Sequence, residues 1–187
     1  MNILLVDNAT IFLNNLKELL NKNDCKVTSV PIDKLKAEMA DSYDAVVLSG
    51  GSKYEVSDSP EMFKEQFKII KSGKPVYGVC LGFQAICYAF GEKVGHLGYE
   101  IEGVFDVEAN KTDKLLEGLN KTFKVWEGHS WAVKKINGEL ITLAKSQKCV
   151  EIVKHPTLPV YASQFHPEVQ ELDGRKVLEN FIKMYSR

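Results

Sequence analysis

Gly78-Val79-Cys80-Leu81-Gly82 places a thiol between two glycines, where the apolar run "PVYGVC" gives way to "LGFQAICYAFG". G-x-C-x-G is the thiol counterpart of the turn that presents a nucleophile between a strand and a helix. A residue at such a turn sits in strained backbone and needs small neighbours two positions away, a need glycine meets. The helix that follows offers unpaired N–H groups and the positive end of its dipole to the sulfur, favouring thiolate over thiol. The N–H of Leu81 would point toward an oxyanion formed by attack of Cys80. Against this stands the ordinary fate of a free cysteine, burial as a small apolar residue. Cys87, on the same helical face, is read that way, as core filler.

A thiolate nucleophile needs a base. Of His96, His129, His155 and His166, only His166 has a distinctive setting, "YASQFHPEV". It follows a strand-like run directly, at the carboxyl edge where sites gather in open α/β sheets and where Cys80 is also expected. Pro167 fixes the turn, and Glu168 is placed to reach back and orient the imidazole. Nucleophile, base and orienter then occur in the order Cys80, His166, Glu168. "SGG" at Ser49 to Gly51 ends another strand; it is either a plain turn or the source of a second oxyanion N–H.

These residues must be carried by elements that meet at one edge. "NILLVD" (2–7), "KVTSV" (26–30), "DAVVLSGG" (44–51) and "PVYGVC" read as strands. Leu13, Leu16, Leu19 and Leu20 recur at helical spacing between the first two. "DSPEMFKEQFKIIKSG" carries helix signals: Asp58 or Ser59 as cap, Pro60 in the first turn and Gly73 beyond the end. This alternation predicts a parallel sheet covered by helices. The second half is different: "GYEIEGVFDVEA", "FKVWEG", "WAVKKI", "ELITLAKS", "CVEIVKH" and "VYASQFH" read as closely spaced strands, antiparallel hairpins joined to the same sheet. "DGRKVLENFIKMY" closes the chain as an amphipathic helix with Val177, Leu178, Phe181, Ile182 and Tyr185 on one side. The expected fold is an open, mostly parallel α/β sheet flanked by helices, with antiparallel strands in the second half, in one domain spanning 1–187.

Bulk properties exclude several classes. The chain has 187 residues, 44% hydrophobic and 26% charged, with net charge −1. That charge gives no basis for binding nucleic acid or an anionic membrane surface. No apolar run reaches the roughly 20 residues of a membrane span. "MNILLVDNAT" lacks the basic start and long apolar stretch of a signal peptide, so the expected location is the cytoplasm. The four cysteines form no C-x-x-C pair; neither a zinc site nor a disulfide framework is expected. There is no P-loop pattern for ATP.

Taken together, "VVLSGG", "YGVCLGFQ" and "YASQFHPEV" resemble the class I (triad) glutamine amidotransferases, in order and at suitable spacing over nearly the whole chain. The resemblance implies the flavodoxin-like fold of that family, with Cys80 as nucleophile, His166 as base and Glu168 as its orienter. It further implies Gly51 and Leu81 as oxyanion-hole donors. Gly50, Gly51, Gln84, His129, Ser130 and Trp131 would border the bound glutamine, backbone groups doing most of the work at 129–131. No metal and no cofactor is implied in this chain; ATP and Mg²⁺ belong to a separate ATP-pyrophosphatase or synthetase subunit that receives the ammonia. Within the family the layout is most similar to the glutaminase subunit of archaeal-type GMP synthase, which supports conversion of XMP to GMP. Three positions depart from that subtype: Ser52 after the double glycine, Phe83 before Gln84, and Trp131 in "GHSW". "LLVDNATIFLNNLKELL" and "HSWAV" resemble instead the glutaminase subunits of anthranilate or aminodeoxychorismate synthase. A γ-glutamyl hydrolase-like enzyme and a non-catalytic paralogue are the remaining alternatives.

Overall fold

A computed structural model describes residues 1–186. Strand β1 (Asn2–Asp7) lies between β2 (Lys26–Pro31) and β3 (Ala45–Leu48), and β4 (Val76–Val79) follows β3. The next strand in space is the last in sequence, β9 (Val160–Ser163), parallel to β4 with Val79 beside Ser163. Because these five strands are parallel, their carboxyl ends form one edge. That edge receives Ser49 to Gly51 after β3, Cys80 after β4 and His166 after β9. His166 lies three residues beyond β9 rather than directly on its end, because the strand stops at Ser163.

The sheet then continues antiparallel through β8 (Val150–Lys154), β7 (Ile141–Lys145), β5 (Gly95–Ala109) and β6 (Thr122–Ala132), giving nine strands among the described residues. Two boundaries differ from the sequence reading. "FKVWEG" and the start of "WAVKKI" form one strand, because Ile101 and Glu102 pair with His129 and Gly128 and carry the ladder through the glycine. Residues 133–140 are irregular. β5 begins at Gly95 and is kinked by a register shift between His96 and Ile101.

Strand alternation divides the core between the two faces. Ile3 and Leu5 pack with Leu16, Leu19 and Leu20 of α1 (Leu13–Lys22), and with Val177, Leu178, Phe181 and Ile182 of α4 (Arg175–Tyr185). Leu4 and Val6 face the other way, toward Ile69 and Ile70 of α2 (Lys64–Ile70) and Phe83, Ile86 and Cys87 of α3 (Leu81–Ala89). Each fully buried side chain of this kind contributes about 1.5–3 kcal/mol. Pro60 opens a 3-10 turn through Phe63 instead of an α-helix, and Ser59 caps it without a side-chain hydrogen bond. Gly73 and Gly91, at φ +86° and +80°, end α2 and α3 in the left-handed conformation that glycine favours. Among the described residues no helix is long and apolar enough to cross a membrane.

Candidate active site

Cys80 has φ 50° and ψ −103°, the sharp conformation its two glycines anticipate. Such a backbone costs about 1–3 kcal/mol and persists only where its surroundings enforce it. They do so by contact. A Cβ on Gly78 would lie 2.5 Å from the Gly82 carbonyl oxygen, and one on Gly82 would lie 2.4 Å from that of Leu48. The turn thus lets β4, α3 and β3 approach backbone to backbone. The Gln84 N–H donates to the Cys80 carbonyl at 3.0 Å, so α3 begins at the cysteine and its free N–H groups face the sulfur side.

The Ser49 to Gly51 loop is pinned by buried polar groups that the sequence reading did not single out. Asn8 donates its backbone N–H to Ser49 Oγ at 2.9 Å and its side-chain amide to the Ser49 carbonyl at 2.8 Å. Gln66 donates to Asn8 Oδ1 at 2.7 Å. A Cβ on Gly51 would lie 2.0 Å from the Asn8 carbonyl oxygen, and one on Gly50 2.7 Å from His166 Cε1. Both glycines are therefore close-approach positions.

His166, Glu168 and Cys80 are all buried, at 4%, 3% and 4% exposure, so the charges they carry interact in a poorly solvated setting. His166 Nδ1 is 2.8 Å from Glu168 Oε1, leaving Nε2 for the sulfur. Phe12 and Trp126 hold the ring edge-on from two sides, and its backbone N–H donates to the Trp126 carbonyl at 2.9 Å. Burial disfavours the imidazolium, but the charges and hydrogen bonds of Glu168 and Cys80 outweigh it and hold His166 well above its ordinary range. The arrangement favours the protonated imidazolium of His166 beside the Cys80 sulfur. Cys87 is wholly buried, and desolvation, then the Glu92 charge, holds its thiol protonated.

Cys80 borders two hollows. One of about 280 Å³ is lined by Gly51, Ser52, Gln84, His129, Ser130 and Trp131, with Glu55, His96 and Glu100. The other, about 430 Å³, is lined by Thr10, Ile11, Phe12, Trp126 and His166, with Glu100 and Glu102. The first brings together every expected glutamine-bordering residue except Gly50, which packs behind the triad. Gln84 Nε2 donates to the Trp131 carbonyl at 2.8 Å, so α3 is tied to β6 across the hollow. The His129 ring is turned inward, 3.0 Å from Glu127 Oε2 and 2.9 Å from the Trp131 carbonyl. Phe83 is fully buried in the core and Ser52 is exposed at the rim of both hollows.

Several site residues escaped the sequence reading. Gln164 is fully buried, with Nε2 3.8 Å from Cys80 Sγ and Oε1 3.4 Å from Gln84 Nε2. Its signal was a polar residue inside "YASQFH". Glu55 lines the smaller hollow, its carboxyl pushed up to about 7 by desolvation and then by Asp58. Among the described residues no group of three or more His, Cys, Asp or Glu side chains is arranged to hold a metal ion.

The model of the family described as glutamine amidotransferase class-I matches residues 4–184. The chain is 33% identical over 158 residues to a subunit of the glutamine-hydrolyzing GMP synthase of Pyrococcus abyssi, spanning 83% of this chain and 81% of the relative. It is 30% identical over 193 residues to the subunit of the same name from Methanosarcina acetivorans, with 100% and 98% covered. Among solved structures, a Thermoplasma acidophilum protein provisionally assigned as the corresponding GMP synthase subunit superposes with TM-score 0.89 at 29% identity, over 98% of this chain and 93% of that one. A Thermotoga maritima glutamine amidotransferase superposes with TM-score 0.76 at 21% identity, over 99% and 82%, which supports the fold.

Proposed function

The chain belongs to the class I glutamine amidotransferase family, and from that membership we propose that it is the glutaminase subunit of a two-subunit GMP synthase. One observation carries the chemistry: a strained cysteine at a helix N-terminus, beside a buried His166–Glu168 pair, opening on a hollow lined by Gly51 and Gln84. Cys80 thiolate attacks the side-chain amide carbon of glutamine, and the oxyanion is taken by the N–H groups of Gly51 and Leu81. Each such donor is worth roughly 3–4 kcal/mol in the transition state. His166 gives its proton to the amide nitrogen, the C–N bond breaks, and ammonia leaves a γ-glutamyl thioester on Cys80. His166 then takes a proton from water, hydroxide displaces the sulfur, and glutamate departs. The route uses Cys80, His166, Glu168 and water.

The ammonia passes to a separate ATP-pyrophosphatase subunit, which binds ATP and Mg²⁺ and aminates XMP. Similarity over most of the length of the archaeal GMP synthase subunits supports this acceptor over a chorismate-derived one. Two measurements test the reading. Cys80→Ala should abolish glutamate release while leaving the thermal melt near wild type; retained activity would sink the thioester route. The wild-type chain mixed with an archaeal-type synthetase subunit should make GMP from XMP, ATP and glutamine. Amination of chorismate with a suitable partner, and none of XMP, would overturn the acceptor while sparing the triad.

A further inference from the structure

Behind the glutamine-bordering edge of β6 lies a line of buried groups that the triad chemistry does not use. Glu127, on β6, and Glu151, on β8, are each 1% exposed. Their strands are not neighbours in the sheet, since β7 and β5 stand between them. The two carboxyls nonetheless come near enough to act on each other's ionisation. Two neighbouring buried carboxylates would repel, and a proton between them removes that repulsion. Glu127 Oε1 and Glu151 Oε2 are buried without a hydrogen-bond partner, and a shared proton would satisfy both.

The remaining contacts set a direction. The Trp131 carbonyl can only accept, so His129 Nδ1, 2.9 Å away, must donate. His129 Nε2 faces Glu127 Oε2 at 3.0 Å, and Cys149 Sγ donates to Glu151 Oε1 at 3.1 Å. With a proton shared between the two carboxyls, a continuous chain results: Cys149 S–H to Glu151, Glu151 to Glu127, Glu127 to His129, His129 to the Trp131 carbonyl. In it every group is paired and the net charge is zero. The same Trp131 carbonyl accepts from Gln84, and the Gly128 carbonyl, between Glu127 and His129, is 4.0 Å from Cys80 Sγ. The Glu151 carbonyl accepts the N–H of Gln164 at 2.8 Å.

We propose that Glu151, Glu127 and His129 form a positioning relay whose shared protons hold the Gly128–Trp131 edge of the glutamine hollow in place. The proposal rests on the glutaminase reading of that hollow. The groups facing the relay are Cys149 and Ser146 from the β7–β8 side and His166 from the loop after β9. None of these brings a negative charge of its own. Desolvation pushes Glu127 up to about 7 and Glu151 well above the carboxylate range, and lowers His129, all of which favour the net-neutral chain. Above neutrality one proton is lost, a buried charge appears, and the edge should loosen.

The test compares two reagents at one thiol, so that the ionisation of Cys80 cancels. A chloroketone analogue of glutamine needs the organised hollow; iodoacetamide needs only the sulfur. In the wild type the ratio of their alkylation rate constants should fall about tenfold from pH 6 to pH 8, the size of one net hydrogen bond. Glu127→Gln keeps a donor toward His129 and an acceptor toward Glu151 but lacks the carboxyl that burial pushes up to about 7, so its ratio should stay high and flat. Glu127→Ala should have a ratio about tenfold lower at every pH, and Glu127→Gln should restore it. A wild-type pH dependence in Glu127→Gln, or an unchanged ratio in Glu127→Ala, would overturn the relay. If Glu127→Ala fails to fold, the pH profile of Glu127→Gln decides alone. A wild type with no preference for the chloroketone at any pH would instead overturn the glutaminase reading, and the relay with it.

Discussion

The two walls of the site are built from different materials. The wall at the ends of β3 and β4 is backbone against backbone: Gly51 on Asn8, Gly78 on Gly82, Gly82 on Leu48, with Cys80 held in strained geometry between them. The opposite wall, on β6 and β8, is set by buried side chains and their hydrogen bonds, on strands not paired in the sheet. His166 and Glu168 stand between the two and depend on both. A backbone wall fails when an atom is added, because nothing there can yield. A side-chain wall fails when a proton or a partner is removed, even if the volume is unchanged.

The largest effect expected after loss of Cys80 itself tests the side-chain principle where it meets the thiol. Glu168→Gln conserves shape but removes the charge that supports the His166 imidazolium. We expect kcat to fall on the order of 10³-fold, with little change in melting temperature. The sign for pH follows from His166, which the Glu168 charge raises. Without that charge His166 loses its proton at lower pH, so the alkaline limb of the kcat/KM profile should move down. An unmoved limb would mean that Glu168 does not orient the base.

The backbone wall is broken by one methyl group. Gly51→Ala would place its Cβ 2.0 Å from the Asn8 carbonyl oxygen, a contact only backbone movement can relieve. The N–H of residue 51 would then leave the oxyanion position. The expected cost is about 10²-fold in kcat, with a lower melting temperature but little change in KM for glutamine. Equal losses in Gly51→Ala and Gly51→Ser, with stability lowered in both, would sharpen the claim that the atom added, not its polarity, matters. An undiminished kcat in Gly51→Ala would break it.

The difference between the walls also explains what the sequence disclosed. Glycines flanking Cys80 and a doublet at 50–51 are local signals, because the strain and close approach that demand them are local. The Cys80, His166 and Glu168 set was legible for the same reason, and the order of the strands brought it to one edge. Asn8, Gln66 and Gln164 find partners far away in sequence, and Glu127 and Glu151 come from separate strands; local pattern does not specify those pairings. A trace was present: Phe123, Val125, Glu127 and His129 alternate onto one buried face of β6, where a carboxyl is out of place among apolar neighbours. Gly128, His129 and Ser130 interrupt the apolar run between "FKVW" and "WAV", so the sequence reads as two strands where the structure has one.

The smallest expected effect concerns stability and isolates the side-chain wall from catalysis. Glu127 and Glu151 both have folded-state pKa values above the 4.5 of an unfolded glutamate, Glu127 at about 7. Below pH 4.5 both are protonated whether folded or unfolded, and the relay's contribution is whole. As pH rises from there through 7, the unfolded chain releases its protons freely while the folded chain must keep them or bury a charge. Stability should therefore decline over that interval, by about 1–3 kcal/mol, or a few degrees in melting temperature. His166 adds a decline of the same sign, because its folded pKa is also raised. The wild-type slope alone therefore does not identify the carboxyls, but the difference between wild type and Glu151→Gln does. His166 is common to both, whereas one of the two raised carboxyls is gone from the variant. The variant's melting temperature should fall less between pH 5 and pH 8, converging with wild type at the acid end. Parallel curves would show that the carboxyls do not bind an extra proton on folding, and that the wall behind His129 is held by packing alone.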